Sequence, residues 1–315
     1  MTTPAVLVAG SANLDFVVRA THVPAPGETV LGRDFTMHPG GKGANQAVAC
    51  ARAGGVPTRM QVALGEDAFA DTLESSLRSA GVELDIVRVA NQATGTAFIV
   101  VADDAENAIT VAPGANAALL AEHLPDLRGL SHLLLQLETP METVAMYALA
   151  ARAAGVVVVL NAAPARALPA SLLANVDVLI ANEHELAALT GVRGSVADAI
   201  TALDVPCVIV TLGARGCVAR EGTEYVLQSA FRVEPVDTTG AGDTFCGALV
   251  AAFSRGDSLS AALRFASAAA ALATQRLGAQ SSIPTRAEVE AVLGSSTSMH
   301  EQYESPALTA YCGFP

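Results

Sequence analysis

Asp237-Thr238-Thr239-Gly240-Ala241-Gly242-Asp243-Thr244-Phe245 leads directly into an apolar helical stretch. Small residues at 240–242 let backbone N–H groups converge on one point without interference from side chains. A helix beginning near Asp243 adds the positive end of its dipole and its unpaired N–H donors. The segment reads as a phosphate-accepting turn with a carboxylate at the mouth of a helix. Such a carboxylate is placed to take a proton from a hydroxyl as that hydroxyl attacks a phosphoryl group. The same residues also describe a tight turn with Asp243 as a helix N-cap, so a second feature has to decide.

That feature is Lys42. Of the 18 basic residues only one is a lysine, and it lies in Gly40-Gly41-Lys42-Gly43-Ala44-Asn45. A compact ammonium group suits a point charge better than a planar guanidinium does, and the glycines permit close backbone approach. In isolation the run is a glycine-rich turn with a solvated lysine. Beside a second, independent anion-binding loop it reads as part of one phosphate site.

Short apolar strands alternate with amphipathic helices around these two loops. Ala5–Ala9, Thr58–Leu64, His132–Leu137, Val156–Leu160, Val176–Ile180 and Val208–Leu212 read as buried strands. Asn45–Ala53, Ala68–Ala80, Met141–Ala154, Glu183–Leu189 and Ala197–Leu203 read as helices. This alternation predicts an α/β fold with a mainly parallel central sheet covered by helices on both faces. Phe16–His38 and Thr94–Thr110 break the rhythm as half-exposed strands and predict a small β lid, which would exclude water from a phosphoryl-transfer site. One domain is expected over residues 1–293, and the polar segment 294–315 is expected to be disordered.

Composition excludes several function classes. A chain of 315 residues and 32.0 kDa can bury a sizeable core, while a net charge of −13 disfavours nucleic acid and anionic membranes as partners. Phosphate must then be held locally, by backbone donors, a few basic residues and a metal. The five cysteines show no CxxC or Cys/His spacing and read as reduced, buried residues. The N-terminus has no signal-peptide pattern, and the apolar stretch Val144–Leu160 is interrupted by Arg152. A cytoplasmic chain is expected. An open lid edge makes a homodimer the candidate assembly.

Polar residues at strand ends suit a sugar, because ligands of open α/β sheets collect beyond the carboxyl ends of strands. Asn13 and Asp15 follow the first strand and Glu138 follows Leu133-Leu134-Leu135-Gln136-Leu137; any one of them also reads as a cap or an ion pair. Asn182 and Glu185, three apart at the start of a helix, share a face and could hold phosphate and hydrated Mg²⁺, or simply cap. Thr211-Leu212-Gly213-Ala214-Arg215-Gly216 is a nucleotide-facing turn or a hairpin. The GxxxxGK[ST], protein-kinase and GxGxxG signatures are absent.

The two loops together resemble the paired signatures of the ribokinase-like, or PfkB, carbohydrate kinases. Supporting stretches are Pro26-Gly27-Glu28-Thr29, Gln136-Leu137-Glu138, Asn161 to Arg166, Asn182-Glu183, Thr211 to Gly216 and Gly278-Ala279-Gln280. The resemblance spans roughly residues 5 to 293 and implies ATP-dependent phosphorylation of ribose at O5. It assigns Asp243 as the base and the N–H groups of Gly240, Ala241 and Gly242 as an anion hole. It assigns ribose to Asn13, Asp15, Gly41, Lys42, Gly43, Ala44, Asn45, Glu138 and Asp243. ATP falls to Asn182, Thr211, Leu212, Gly213, Ala214, Arg215, Gly216 and Gly242, with Mg²⁺ near Glu185. A monovalent cation, K⁺, falls to Asp237, Thr239, Ala273, Arg276, Gly278 and Ser282, mostly through carbonyl oxygens. Two departures stand out: Ala162 where the family tends to have Pro, and the segment from Gly294 to Pro315, which has no counterpart. Kinases acting on deoxyribose, another sugar or a nucleoside would share Asp243. A non-catalytic sugar-binding protein would need neither Asp243 nor the 240–242 turn.

Overall fold

Hydrophobic side chains alternate along the central strands so that each strand feeds two apolar layers, one on either face of a single large sheet. The computed structural model describes residues 5–104, 106–294 and 305–314. In chain order the strands are β1 (Ala5–Ala9), β2 (Asn13–Arg19), β3 (Asp34–Gly40), β4 (Thr58–Gly65), β5 (Val82–Val89), β6 (Gly95–Val101) and β7 (Asn107–Ala112). They continue as β8 (Leu130–Leu135), β9 (Val157–Asn161), β10 (Val178–Asn182), β11 (Cys207–Thr211), β12 (Gly216–Glu221) and β13 (Glu224–Ser229). The helices are α1 (Lys42–Arg52), α2 (Ala68–Ser79), α3 (Met141–Ala153), α4 (Ala170–Leu173) and α5 (Glu183–Thr190). After them come α6 (Val196–Thr201), α7 (Ala241–Ser254), α8 (Leu259–Ala273), α9 (Arg286–Gly294) and α10 (Ser305–Cys312).

The nine-stranded sheet runs β13-β12-β11-β10-β9-β8-β1-β4-β5. Its pairs are parallel except β11/β12 and β12/β13. Val6 and Val8 enter the layer built with α1, α7 and α8, and Leu7 enters the layer under α3 and α5, all three fully buried. Burial of such side chains contributes about 2 kcal/mol each. Because β1, β8, β9, β10 and β11 are parallel, their carboxyl ends reach the same edge of the sheet. That edge gathers Asn161, Asn182 and Thr211, the last residues of β9, β10 and β11.

The lid is a four-stranded sheet in the order β3-β2-β6-β7, whose strands lie within 13–40 and 95–112, where 16–38 and 94–110 were expected from sequence. Only Gly10-Ser11-Ala12 separates β1 from β2, so the chain passes from body sheet to lid in three residues. The lid leaves Phe35, Met37, Phe98 and Ile109 exposed, with Phe16 stacked between Phe35 and Phe98.

Two sequence expectations differ from the structure. The hairpin β12–β13 and the edge strand β5 were not foreseen as strands; polar and charged residues interrupt their apolar pattern at Glu83, Asp85, Arg88, Arg220 and Glu224. The segment 294–315, expected to be disordered, contains α10, because Leu308 and Cys312 bury their side chains in the α3/α5 layer. Residues 295–304 and 315 lie outside the described residues. Among the described residues no helix is long and apolar enough to cross a membrane.

Candidate active site

Glycines 41 and 43 let α1 start hard against the β1–β2 link. A Cβ on Gly41, whose φ is 89°, would sit 2.7 Å from Asn13 N, and one on Gly43 would sit 2.6 Å from Ser11 N. Nothing larger than hydrogen fits at either point. The close approach lets Ala44 N donate to Ser11 O at 2.8 Å and Gly43 N to Ser11 Oγ at 3.3 Å. Ser11 Oγ in turn donates to Glu138 Oε2 at 2.5 Å, which also accepts from Lys42 N at 3.2 Å. Glu138 therefore ties β8's exit to the first turn of α1. Asn13 is held nearby by Asn116, whose Nδ2 donates to Asn13 Oδ1 at 2.8 Å while its Oδ1 accepts from Ala12 N at 3.0 Å. The Ala44 side chain is fully buried in the core, so only its backbone belongs to the site.

Helix α7 follows Gly240, which is left-handed at φ 74° and serves as N-cap. Asp243, in the first turn, is 9% exposed. Its Oδ2 accepts from Asn45 Nδ2 at 2.9 Å and its Oδ1 from Gln46 Nε2 at 2.9 Å. Gln46 also donates to Asn161 Oδ1 at 3.0 Å and accepts from Gln136 Nε2 at 2.7 Å. This amide chain orients the carboxylate from three elements at once, α1, β8's exit and β9. Asn45 Oδ1 and Gln136 Oε1 are buried with no hydrogen-bond partner within the chain.

Charge is concentrated around that carboxylate. The Asp243 charge raises the Lys42 ammonium pKa against the opposing effect of burial, with Glu138 and Glu185 adding to the rise. Lys42 is therefore a fixed cation. Burial, then the charges of Glu138 and Asp243, push Asp15 up to about 7. Burial also raises Glu185, partly countered by its bond from Asn182 N and by Lys42. A cleft of about 150 Å³ joins Lys42, Asn161, Asn182, Glu185, Gly242 and Asp243.

Asn182 caps α5: its Oδ1 accepts from Glu185 N, and Glu185 Oε2 accepts from Asn182 N, both at 2.8 Å. Both side chains still line the cleft, so cap and phosphate or Mg²⁺ ligand are compatible roles for the same pair. A larger cavity of about 420 Å³ lies across Gly242, walled by Gly213, Ala214, Phe231, Phe245 and Ala270 among others. Its mostly apolar walls, with Thr211 and Thr238 as polar lining residues, suit a purine ring.

Three expected site residues turn elsewhere. Leu212 is buried in the α3/α5 layer. Arg215 lines neither cavity and instead pairs with Glu183 at 3.0 Å. Ala241 N donates to Thr238 O at 3.2 Å, closing the turn, while Gly240 and Gly242 line the cleft.

Of the residues expected around a monovalent cation, Asp237, Thr239 and Gly278 meet directly. Asp237 Oδ1 accepts from Thr239 N at 2.9 Å and Thr239 Oγ1 at 2.6 Å, and Oδ2 accepts from Gly278 N at 2.9 Å. Burial works against the Asp237 charge, yet these bonds hold its pKa below the usual range. Ala273 O accepts from Arg276 N at 3.2 Å, and buried Ser282 bonds Ala279 O at 3.1 Å. Ala279 in turn abuts Gly240, where a Cβ would meet Ala279 Cα at 3.1 Å. The loop therefore backs directly onto the 240–242 turn. The Arg276 guanidinium turns away to Glu288 at 2.5 Å, so only its backbone can contribute.

Ser11, Gln46, Asn116, Gln136 and Asn161 were not assigned to the site from sequence, although Gln136 and Asn161 open stretches that carry the family resemblance. The available signal was polarity out of place: Gln136 interrupts a leucine run, and Gln46 sits in an alanine-rich helix, each fully buried.

The family model described as pfkB family carbohydrate kinase matches residues 3–286. A ribokinase of Haemophilus influenzae is 40% identical over 296 residues, covering 89% of this chain and 95% of its own. The crystal structure of a Thermotoga maritima ribokinase superposes with a TM-score of 0.86 at 39% identity, covering 93% of this chain and 100% of that one. An Arabidopsis thaliana ribokinase complexed with ribose and ATP superposes with a TM-score of 0.85 at 36% identity, covering 94% and 100%.

Proposed function

The chain belongs to the pfkB family of carbohydrate kinases, and we propose that it transfers the terminal phosphoryl group of ATP to the 5-hydroxyl of D-ribose, giving ribose 5-phosphate and ADP. The observation that carries the chemistry is the carboxylate of Asp243, buried at the first turn of α7 and held on both oxygens by Asn45 and Gln46. The ribokinase relatives, one of them complexed with ribose and ATP, support the substrate pair.

In this mechanism Asp243 takes the proton of the 5-hydroxyl as the O5–phosphorus bond forms and the bond to the ADP oxygen breaks. Negative charge on the transferred group meets the N–H groups of Gly240 and Gly242 and the Lys42 ammonium. Loss of one such donor costs about 3 kcal/mol of barrier. Asn13, Asp15, Asn45 and Glu138, with the backbone at 41–43, hold the sugar; the adenine lies in the cavity bounded by Gly213, Ala214 and Phe245. Glu185 is the carboxylate that would hold hydrated Mg²⁺, whose charge neutralises the phosphates when bound. Asp237 and the carbonyls of 273–278 would hold K⁺ beside the anion-binding turn. The lid that shields the transfer from water also offers its exposed apolar face to a second copy of the chain. Five buried free thiols accord with a reducing cytoplasm.

The test is ADP release with ATP, Mg²⁺ and K⁺ across ribose, 2-deoxyribose, fructose and adenosine. Ribose is expected to give the highest kcat/KM. Preference for another acceptor would refute the ribose assignment, and no turnover with any would refute the kinase activity.

A further inference from the structure

Helix α10 joins two segments that flank the proposed nucleotide site. Its anchor is apolar: Leu308 and Cys312 are buried, and Phe314 meets the Tyr225 ring edge-on at 4.5 Å. The chain turns at Gly313, φ 86°, where a Cβ would lie 2.3 Å from Ser195 Cβ. This seating places Tyr311 beside the short turn Gly213–Arg215. The Arg215 guanidinium lies 3.9 Å above the Tyr311 ring centre and donates to its hydroxyl at 2.7 Å. That hydroxyl donates to Glu183 Oε1 at 2.5 Å, while Arg215 donates to Glu183 Oε2 at 3.0 Å. The closed network links the first residue of α5 to a turn 32 residues later. Asn182 and Glu185 flank Glu183 at one end, and Gly213 and Ala214 precede Arg215 at the other.

We propose that Tyr311 is a positioning residue for ATP, through which the C-terminal helix fixes the α5 N-terminus and the 213–215 turn relative to each other without touching the nucleotide. The inference rests on the ATP-dependent function proposed above. Exposed ion pairs alone contribute little, but here a stacked guanidinium and two charge-assisted hydrogen bonds share one aromatic side chain. The bond to Glu183 raises the pKa of the Tyr311 hydroxyl, which keeps it a donor.

The test is steady-state kinetics of the full chain with Tyr311→Ala and Tyr311→Phe, varying ATP at saturating sugar and then sugar at saturating ATP. Tyr311→Ala is expected to raise KM for ATP roughly three- to tenfold, with kcat and KM for sugar unchanged. Tyr311→Phe, which keeps the ring over Arg215, should recover part of that loss. Leu308, Cys312 and Phe314 still anchor the helix in both variants, so their melting temperatures should stay near the parent's. An unmoved KM for ATP, an equal rise in both KM values, or a fall in KM for ATP would overturn the inference. Absence of ATP turnover in the parent chain would instead refute the function on which it rests.

Discussion

Asp15→Asn should remove a pH dependence from the protein's stability. Asp15 lies in β2 where lid meets body, its carboxylate packed over Gly40, where a Cβ would come within 2.1 Å of Oδ2. The unfolded chain ionises this group near the ordinary 3.8, whereas burial and the neighbouring Glu138 and Asp243 charges raise it to about 7 in the fold. Between those values the native state binds more protons than the unfolded state, so stability falls as pH rises and the loss is complete above about 7. A window of about 3 pH units at 1.36 kcal/mol each amounts to about 4 kcal/mol. An asparagine carries no such penalty. Urea unfolding of parent and variant at pH 4 and pH 8.5 reads the difference directly. The variant should gain several kcal/mol over the parent on going from pH 4 to pH 8.5. A hydroxyl-rich ligand that donates to Asp15 favours its ionised form, so sugar binding near pH 7 should release protons from the parent and none from this residue in the variant. Titration calorimetry in two buffers of different ionisation enthalpy measures that release. A parent–variant stability difference that stays constant with pH would refute the burial-driven shift.

Other substitutions probe other parts of the site. Gln46→Leu leaves Asp243 Oδ1 and the Asn161 and Gln136 amides without their shared partner; it should cost about 1 to 3 kcal/mol in thermal unfolding and lower kcat at least roughly tenfold, and parental kcat would contradict an orienting role. Gly43→Ala forces a Cβ to 2.6 Å from Ser11 N and 2.7 Å from Gly10 C, both immobile backbone. A loss of about 3 kcal/mol is expected, and an unchanged melting temperature would mean that the α1 start is not as tightly apposed as described. Asp237→Ala removes the acceptor for Thr239 and Gly278. Its activity should no longer respond when K⁺ replaces a large organic cation; a parental response would place the cation elsewhere.

Much of this architecture was legible because strand and helix periodicities differ and because the glycine loops have few alternative explanations. The central parallel strands were found to within about two residues, and the lid was recognisable as the part without covering helices. The hairpin β12–β13 escaped notice because its partner-facing residues include Arg220 and Glu224, which erase the apolar alternation at an edge. At the site, Asp243, Lys42, Asn182 and Glu185 were visible through spacing. The network in which Asn45 and Gln46 hold Asp243 while Gln136 and Asn161 hold Gln46 was not, since it is assembled from α1, α7, β8's exit and β9 by tertiary packing. Arg215 illustrates the opposite case: it was expected to face a nucleotide, but its side chain finds Glu183 and a tyrosine from α10, a helix that the polar composition of 294–315 had concealed.

The most direct test of the proposed chemistry is the turnover of Asp243→Asn. Asn45 can rotate its amide to preserve a bond to the new side chain, so the variant should fold and bind ATP and sugar as the parent does. Without a carboxylate to take the hydroxyl proton, kcat should fall by about 10²- to 10⁴-fold. A folded variant that keeps more than about a tenth of the parental kcat would contradict Asp243 as the base.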